Sequence, residues 1–161
     1  RSHWKTDYVE LSHKPLWPFG FGLSYTQFDI TDLRVGKTAV SSNESVNISV
    51  DITNVGRRAG SEVVQLYVRD EVASVTRPLK ELKGFQRVQL APGEKRTVTF
   101  ALAANQLAFY DSQMRYVLEP GIIKLMLGTS SDDLPLVAEI EVVGETAVLS
   151  EKRFFTETAV S

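Results

Sequence analysis

The side chains through which this 161-residue chain could do chemistry are few in kind: two histidines, twenty Asp and Glu, and no cysteine. Splitting an acetal bond needs two carboxyls on opposite sides of it, ~5–5.5 Å or ~6.5–9.5 Å apart depending on the stereochemical course. The acids here sit where solubility would place them. Asp70-Glu71 and Asp132-Asp133 fall in loops, and Glu62 and Glu81 open strands, so they read as solvated acids. His3 and His13 stand ten residues apart in an irregular stretch, a spacing that fits no helical metal pair, and no thiolate can complete a zinc site. Phe19-Gly20-Phe21-Gly22 contains Gly-x-Gly, but no strand precedes it and no helix follows, so it fails as a nucleotide motif. There is no Gly-x-Ser-x-Gly elbow and no phosphate-binding glycine loop. Asn43-Glu44-Ser45 and Asn47-Ile48-Ser49 match the glycosylation sequon, which matters only in a eukaryotic secretory host. The expectation is a chain with no catalytic, cofactor-binding or metal-binding residue of its own.

The aromatic residues are more informative. Trp17, Phe19, Phe21 and Tyr25 alternate with Pro and Gly, which puts large apolar area on backbone that cannot run as regular strand. Such a strip is costly to expose unless it packs on something, and one destination is an edge or open end of this domain's own sheets. A flat row of exposed rings can instead stack on sugars or aromatic polymers. Trp4, Trp17, Phe85, Tyr110 and Tyr116 are the candidates for that role.

The elements that must position these side chains are strands. Val46, Ile48, Val50 and Ile52 alternate with polar residues, the mark of a strand with one buried and one wet face. Asn54-Val55-Gly56 ends it, because Asn and Gly tolerate positive φ and Asn can close an Asx-turn. Glu62–Asp70 presents Val64, Leu66 and Val68 on one side and a mixed, partly covered set on the other. Leu82–Leu90 and Arg96–Leu102 read as a hairpin around Ala91-Pro92-Gly93-Glu94, a type II turn. Val98, Phe100 and Leu102 form the inward set of its second strand. Glu119-Pro120-Gly121 repeats the turn signal between Arg115–Leu118 and Ile122–Gly128, and Leu136–Val143 is the last strand. Ala103–Leu107 suits one helical turn. Seven or eight short strands with regular turn signals predict an all-β antiparallel sandwich over residues 27–144. An irregular lead-in, 1–26, precedes it, and a 145–161 tail carrying Phe154 and Phe155 follows as a mobile end or docking strip.

Length and composition suit one globular domain, or one domain plus trailing segments. A chain of this length buries about two-thirds of its unfolded surface, enough core without disulfides. The sequence is 43% hydrophobic and 24% charged. A formal charge of −2 leaves no footprint for nucleic acid or an acidic membrane, and no apolar run approaches the ~18 residues of a membrane span. The start at Arg1, without Met or an apolar signal core, reads as a cut inside a longer protein.

Several segments together resemble one family. Pro15-Leu16-Trp17-Pro18-Phe19-Gly20-Phe21-Gly22-Leu23-Ser24-Tyr25-Thr26-Gln27-Phe28 resembles the junction motif that opens the C-terminal domain of glycoside hydrolase family 3 β-glucosidases. Thr53-Asn54-Val55-Gly56, then Gly60 to Val68, Arg77 to Phe85 and Leu90 to Glu94 follow in the family's order. Glu119-Pro120-Gly121 and Gly128 to Asp133 complete it. The resemblance implies a fibronectin type III-like (immunoglobulin-like) sandwich. It also implies a parent enzyme, periplasmic or secreted, that removes β-linked glucose or a related sugar from non-reducing ends with retention. In that family the nucleophilic Asp lies in a Ser-Asp-Trp-like setting on a barrel domain, and the acid/base carboxylate usually lies on a following α/β domain. No Asp of this chain has such a setting, so no catalytic residue carries over. The implied partners are those upstream domains of the same chain, with Trp17, Phe19, Phe21 and Tyr25 as candidate interdomain packing. Two roles compete on this basis: a module that stabilises the catalytic domains, and a module that attaches the enzyme to polysaccharide or lignin.

Overall fold

The computed structural model describes residues 14–161, and apart from one 3-10 turn at Ala104–Leu107 the regular structure there is all strand. Trp4, His3 and His13 lie outside the described residues. One antiparallel sheet runs β1 (Phe28–Val35), β3 (Ser45–Asn54), β6 (Lys95–Ala103), β12 (Glu157–Val160). The second runs β2 (Ala39–Val40), β10 (Leu136–Val142), β9 (Gly121–Gly128), β4 (Gly60–Asp70), β5 (Glu81–Leu90), with β2 parallel to β10. A small third sheet joins β11 (Ala147–Val148), β8 (Tyr116–Leu118) and β7 (Phe109–Tyr110).

Strict alternation explains the register. Ile48 faces Phe100 across β3–β6, and Leu66 faces Leu127 across β4–β9, so the apolar side chains of neighbouring strands share one face. Those faces meet in a single core that includes Val46, Ile48, Val50 and Ile52 from β3, Phe100 and Leu102 from β6, and Leu125 and Leu127 from β9. Burying each such side chain contributes ~1.5–3 kcal/mol. This is an all-β, fibronectin type III-like sandwich.

Three local expectations need correction. The strands on either side of Pro92-Gly93 do not form a hairpin: β5 pairs with β4, and β6 pairs with β3 and β12. The turn itself forms, with the Glu94 amide donating to Ala91 O and Gly93 at φ +75°. It carries the chain from one sheet to the other, so Val88 and Leu90 of one sheet share the core with Val98 and Phe100 of the other. A reversal signal specifies a change of direction, not the partner that fills the ladder. Here the turn is pinned to the end of β3, where Gly93 N donates to Asn54 O and Asn54 N to Glu94 O.

The second concerns Gly56. Asn54 does close an Asx-turn, its Oδ1 accepting from the Gly56 amide at 3.0 Å. Gly56 is not among the residues with positive φ; it is required because a Cβ there would run into the Thr26 hydroxyl and lie 2.9 Å from the Gln27 amide.

Third, residues 145–161 are not a free end. β11 pairs with β8, and β12 completes the first sheet, with Thr158 opposite Phe100. The Thr156 hydroxyl donates to Lys83 O at 2.6 Å and that of Thr158 to Gln86 Oε1 at 2.6 Å, so the strap reaches across to β5. Its β-branched residues cover a strand that otherwise has an open edge. Phe154 and Phe155 remain exposed.

Candidate functional site

The junction is built on one turn. Phe21 N donates to Pro18 O at 3.0 Å, and Gly20 has φ +81°, as the third position of a type II turn demands. Pro18 fixes the entry, and the turn brings the rings of Trp17 and Phe21 into a stack with centroids 5.1 Å apart. The turn is seated on the outer face of β4. Ser131 N donates to Phe19 O at 2.8 Å, tying it to the loop after β9. Beneath it the Gln65 amide donates to Thr129 O and accepts from the Tyr67 hydroxyl at 2.8 Å. Gly20 lies so close that a Cβ would meet the Gln65 side chain. This is why Gln65 and Tyr67, on the mixed face of β4, are buried. The Thr26 hydroxyl, donating to Asn54 Oδ1 at 2.8 Å, locks the end of the lead-in.

The backbone is thus held while its rings are not covered. Trp17 is 65%, Phe19 68% and Tyr25 92% exposed, with Leu16 and Leu23 exposed beside them and Phe21 less so. The four junction candidates therefore share one stretch of surface, and the sandwich does not bury them. Of the described candidates for polymer stacking, Phe85 lines one hollow and Tyr110 and Tyr116 another. Phe85, 63% exposed, lines a hollow of about 270 Å³ with Phe19, Gly20, Val63, Gln65 and Leu82. Tyr110 is half exposed and belongs to a different hollow, and Tyr116 beside it is only 8% exposed.

The acids have been drawn into local structure. Glu71 lies 3.6 Å from both Arg69 and Lys124. Asp132 faces Lys80 at 3.6 Å, and Asp133 accepts from the Thr129 hydroxyl at 2.6 Å. Burial pushes the Asp70 carboxyl up, with Arg77 and the Val72 amide pulling the other way. The carboxylates of Glu119 and Glu81 add to the rise, and the neighbouring Glu71 is paired with two cations. Among the described residues no three His, Cys, Asp or Glu side chains group as metal donors, and no helix is long and apolar enough to cross a membrane.

Sequence reasoning missed the most strongly perturbed carboxyl. Asp51, on the outward phase of β3, accepts from Arg34 Nη2 at 2.5 Å, Lys95 Nζ at 2.6 Å and the Thr97 hydroxyl at 2.8 Å. The Arg34 hydrogen bond, then that of Lys95, holds it well below the usual carboxylate range against the cost of burial. Arg34 reaches it because β1 carries an irregularity between Thr31 and Arg34, with Asp32 at φ 55°. A charged triplet at alternating outward positions on three adjacent strands would have been the signal, but only once the strand order was known.

Comparison with known proteins places this geometry. The family model described as "Fibronectin type III-like domain" matches residues 62–131. The thermostable beta-glucosidase B of Acetivibrio thermocellus is 47% identical over 148 residues, 91% of this chain and 19% of that protein. The periplasmic beta-glucosidase of Salmonella typhimurium is 41% identical over 124 residues, 77% of this chain and 16% of that protein. The crystal structure of a beta-glucosidase from Listeria innocua in complex with glucose superposes with a TM-score of 0.81 at 40% identity, covering 89% of this chain and 19% of that one. The chain therefore spans less than a fifth of the length of these relatives.

Proposed function

We propose, starting from a chain that belongs to the fibronectin type III-like domains of glycoside hydrolase family 3 β-glucosidases, that it serves such an enzyme as a non-catalytic brace. It docks on the barrel and α/β domains of the same protein through the junction strip. One observation carries this reading: the backbone of the strip is fixed to the sandwich while Trp17, Phe19 and Tyr25 stand exposed. Covering half of a ring's ~150–250 Å² contributes about 2–3 kcal/mol at ~25 cal/mol per Å². The engagement of Glu71, Asp132 and Asp133 in local contacts supports a bracing rather than a bond-breaking role. The parent protein then hydrolyses β-linked glucose or a related sugar with retention, in the periplasm or outside the cell.

The test compares Trp17→Ala/Tyr25→Ala in the full-length protein and in the 161-residue chain. The full-length protein is expected to melt several degrees lower or to lose solubility, while the short chain melts as before. Equal melting of the substituted and unsubstituted full-length proteins would remove the bracing role. The 161-residue chain is expected to release no phenol from an aryl β-glucoside; release abolished by replacing one Asp or Glu would show a hydrolase.

The hollow between Phe19 and Phe85 favours a second reading, attachment to a polymer. Sedimentation of the chain with insoluble cellulose, xylan or lignin, lost in Phe85→Ala, would support it. Full recovery in the supernatant for all three would end it.

A further inference from the structure

We infer that a second hollow, at the end of the sandwich where β7, β8, the loop before β5 and the strap before β12 converge, binds a carboxylated sugar ring. It encloses about 400 Å³ and shares only Leu82 with the hollow beside Phe19. That volume lies in the range of small-ligand sites.

Two features have to be matched by one occupant. The first is aromatic. Tyr110 and Tyr116 lie 5.2 Å apart at 46°, and Phe154 of the strap lines the same hollow. The exposed ring of Tyr110 offers the apolar face on which the C–H side of a pyranose stacks.

The second is a cation without a counter-ion. The lining contains four cations and one carboxylate, and one of the cations, Arg153, is held by Glu157 at 2.6 Å. That carboxylate, Glu81, is already held by Arg77 at 2.5 Å and Lys83 at 2.9 Å. Lys152 Nζ stands 5.9, 5.8 and 5.4 Å from the ring centroids of Tyr110, Tyr116 and Phe154, with no carboxylate partner among the described residues. Opposite it Arg77, its side chain 10% exposed, lies over the Phe109 ring at 4.4 Å. Arg77 Nε and Gln106 Nε2 are buried in the floor with no acceptor. Donors without acceptors add their N–H dipoles to the positive potential of the hollow.

A neutral sugar leaves Lys152 unmatched, and a bare anion leaves the rings unmatched. A uronate satisfies both, its carboxylate on Lys152 and its ring on Tyr110. Because Lys152 and Phe154 belong to the strap, occupancy also fastens the strap to the body.

The experiment is an amide-resolved NMR titration of the 161-residue chain with glucuronate and galacturonate, against glucose, benzoate and inorganic phosphate. Saturable shifts are expected for a uronate at residues 76–83, 108–116 and 151–154, with slower hydrogen exchange at 157–160. Glucose, benzoate and phosphate are expected to bind at least ~10-fold more weakly. Lys152→Gln and Tyr110→Ala, each with a native amide spectrum and melting point, are expected to weaken uronate binding ~10-fold or more, and Tyr110→Phe to retain it. The proposal is overturned by an absence of saturable shifts, by benzoate or phosphate matching the uronates, or by Lys152→Gln binding as tightly as the unsubstituted chain. None of these outcomes bears on the junction strip, which Trp17 and Tyr25 test separately.

Discussion

Asp51 shows how a surface-facing carboxyl becomes structural. Its folded pKa is depressed, foremost by the Arg34 hydrogen bond and next by that of Lys95, so its contribution to stability is complete above its unfolded value, near pH ~4. That contribution drains away as the pH falls from there toward the lower folded value. Asp51→Asn is expected to cost ~1.5–3 kcal/mol at neutral pH, the range for hydrogen bonds to a charged group. It is also expected to flatten the loss of stability below pH ~4, as followed by urea unfolding at a series of pH values. An unchanged acid limb would show that Asp51 is not the group responsible. At Gly93 the reverse situation holds: nothing lies within 4 Å of a Cβ, so Gly93→Val tests the φ of +75° alone. A fall of ~1–2 kcal/mol is expected, the cost of a left-handed backbone for an L-residue. An unmoved unfolding midpoint would contradict the turn. Both residues were legible to different degrees. Pro92-Gly93 announces its turn within four residues, whereas Asp51 depends on partners from β1 and β6, which no local pattern locates.

At the scale of elements, alternation showed which faces are buried, and Phe100 is the sharpest case. It is fully buried opposite Ile48, and Phe100→Ala is expected to destabilise by ~3–5 kcal/mol in denaturant unfolding. A loss below ~1 kcal/mol would contradict its inward position. What alternation could not show is which strands exchange hydrogen bonds. The same inward set of β5 and β6 is satisfied by a hairpin on one sheet or by two strands facing across the core, and only the pairing of β4 and β3 decides. The strap was unreadable for a related reason: Glu157–Val160 is four residues long, too short for periodicity, and its partner β6 lies nearly sixty positions earlier. Removing 157–161 should unpair the β12 edge of β6, including both hydrogen bonds between Thr97 and Ser161, and leave the β3 edge in place. At ~0.5–1.5 kcal/mol per net backbone hydrogen bond, a loss of ~2 kcal/mol or more is expected in thermal unfolding, together with edge-driven association in light scattering. A truncated chain that stays monomeric and melts normally would show the strap to be dispensable.

For the molecule as a whole, the sandwich provides a rigid base and the junction turn holds apolar rings away from it. Sequence motifs located that strip, because Pro and Gly interleaved with aromatics are visible without a structure. They did not reveal the hollow at the end of the sandwich, whose walls come from segments around positions 77, 110 and 152. Three stretches so far apart in the chain meet only through the fold.

The position of β12 in the chain has a further consequence. During translation every other strand of the first sheet emerges before the one that covers β6. A nascent chain therefore carries a bare ladder of amides and carbonyls along β6 until residues 157–161 clear the ribosome. Polypeptides released before residue 157 keep that ladder open, a mark by which chaperones or proteases can tell copies without β12 from those that have it.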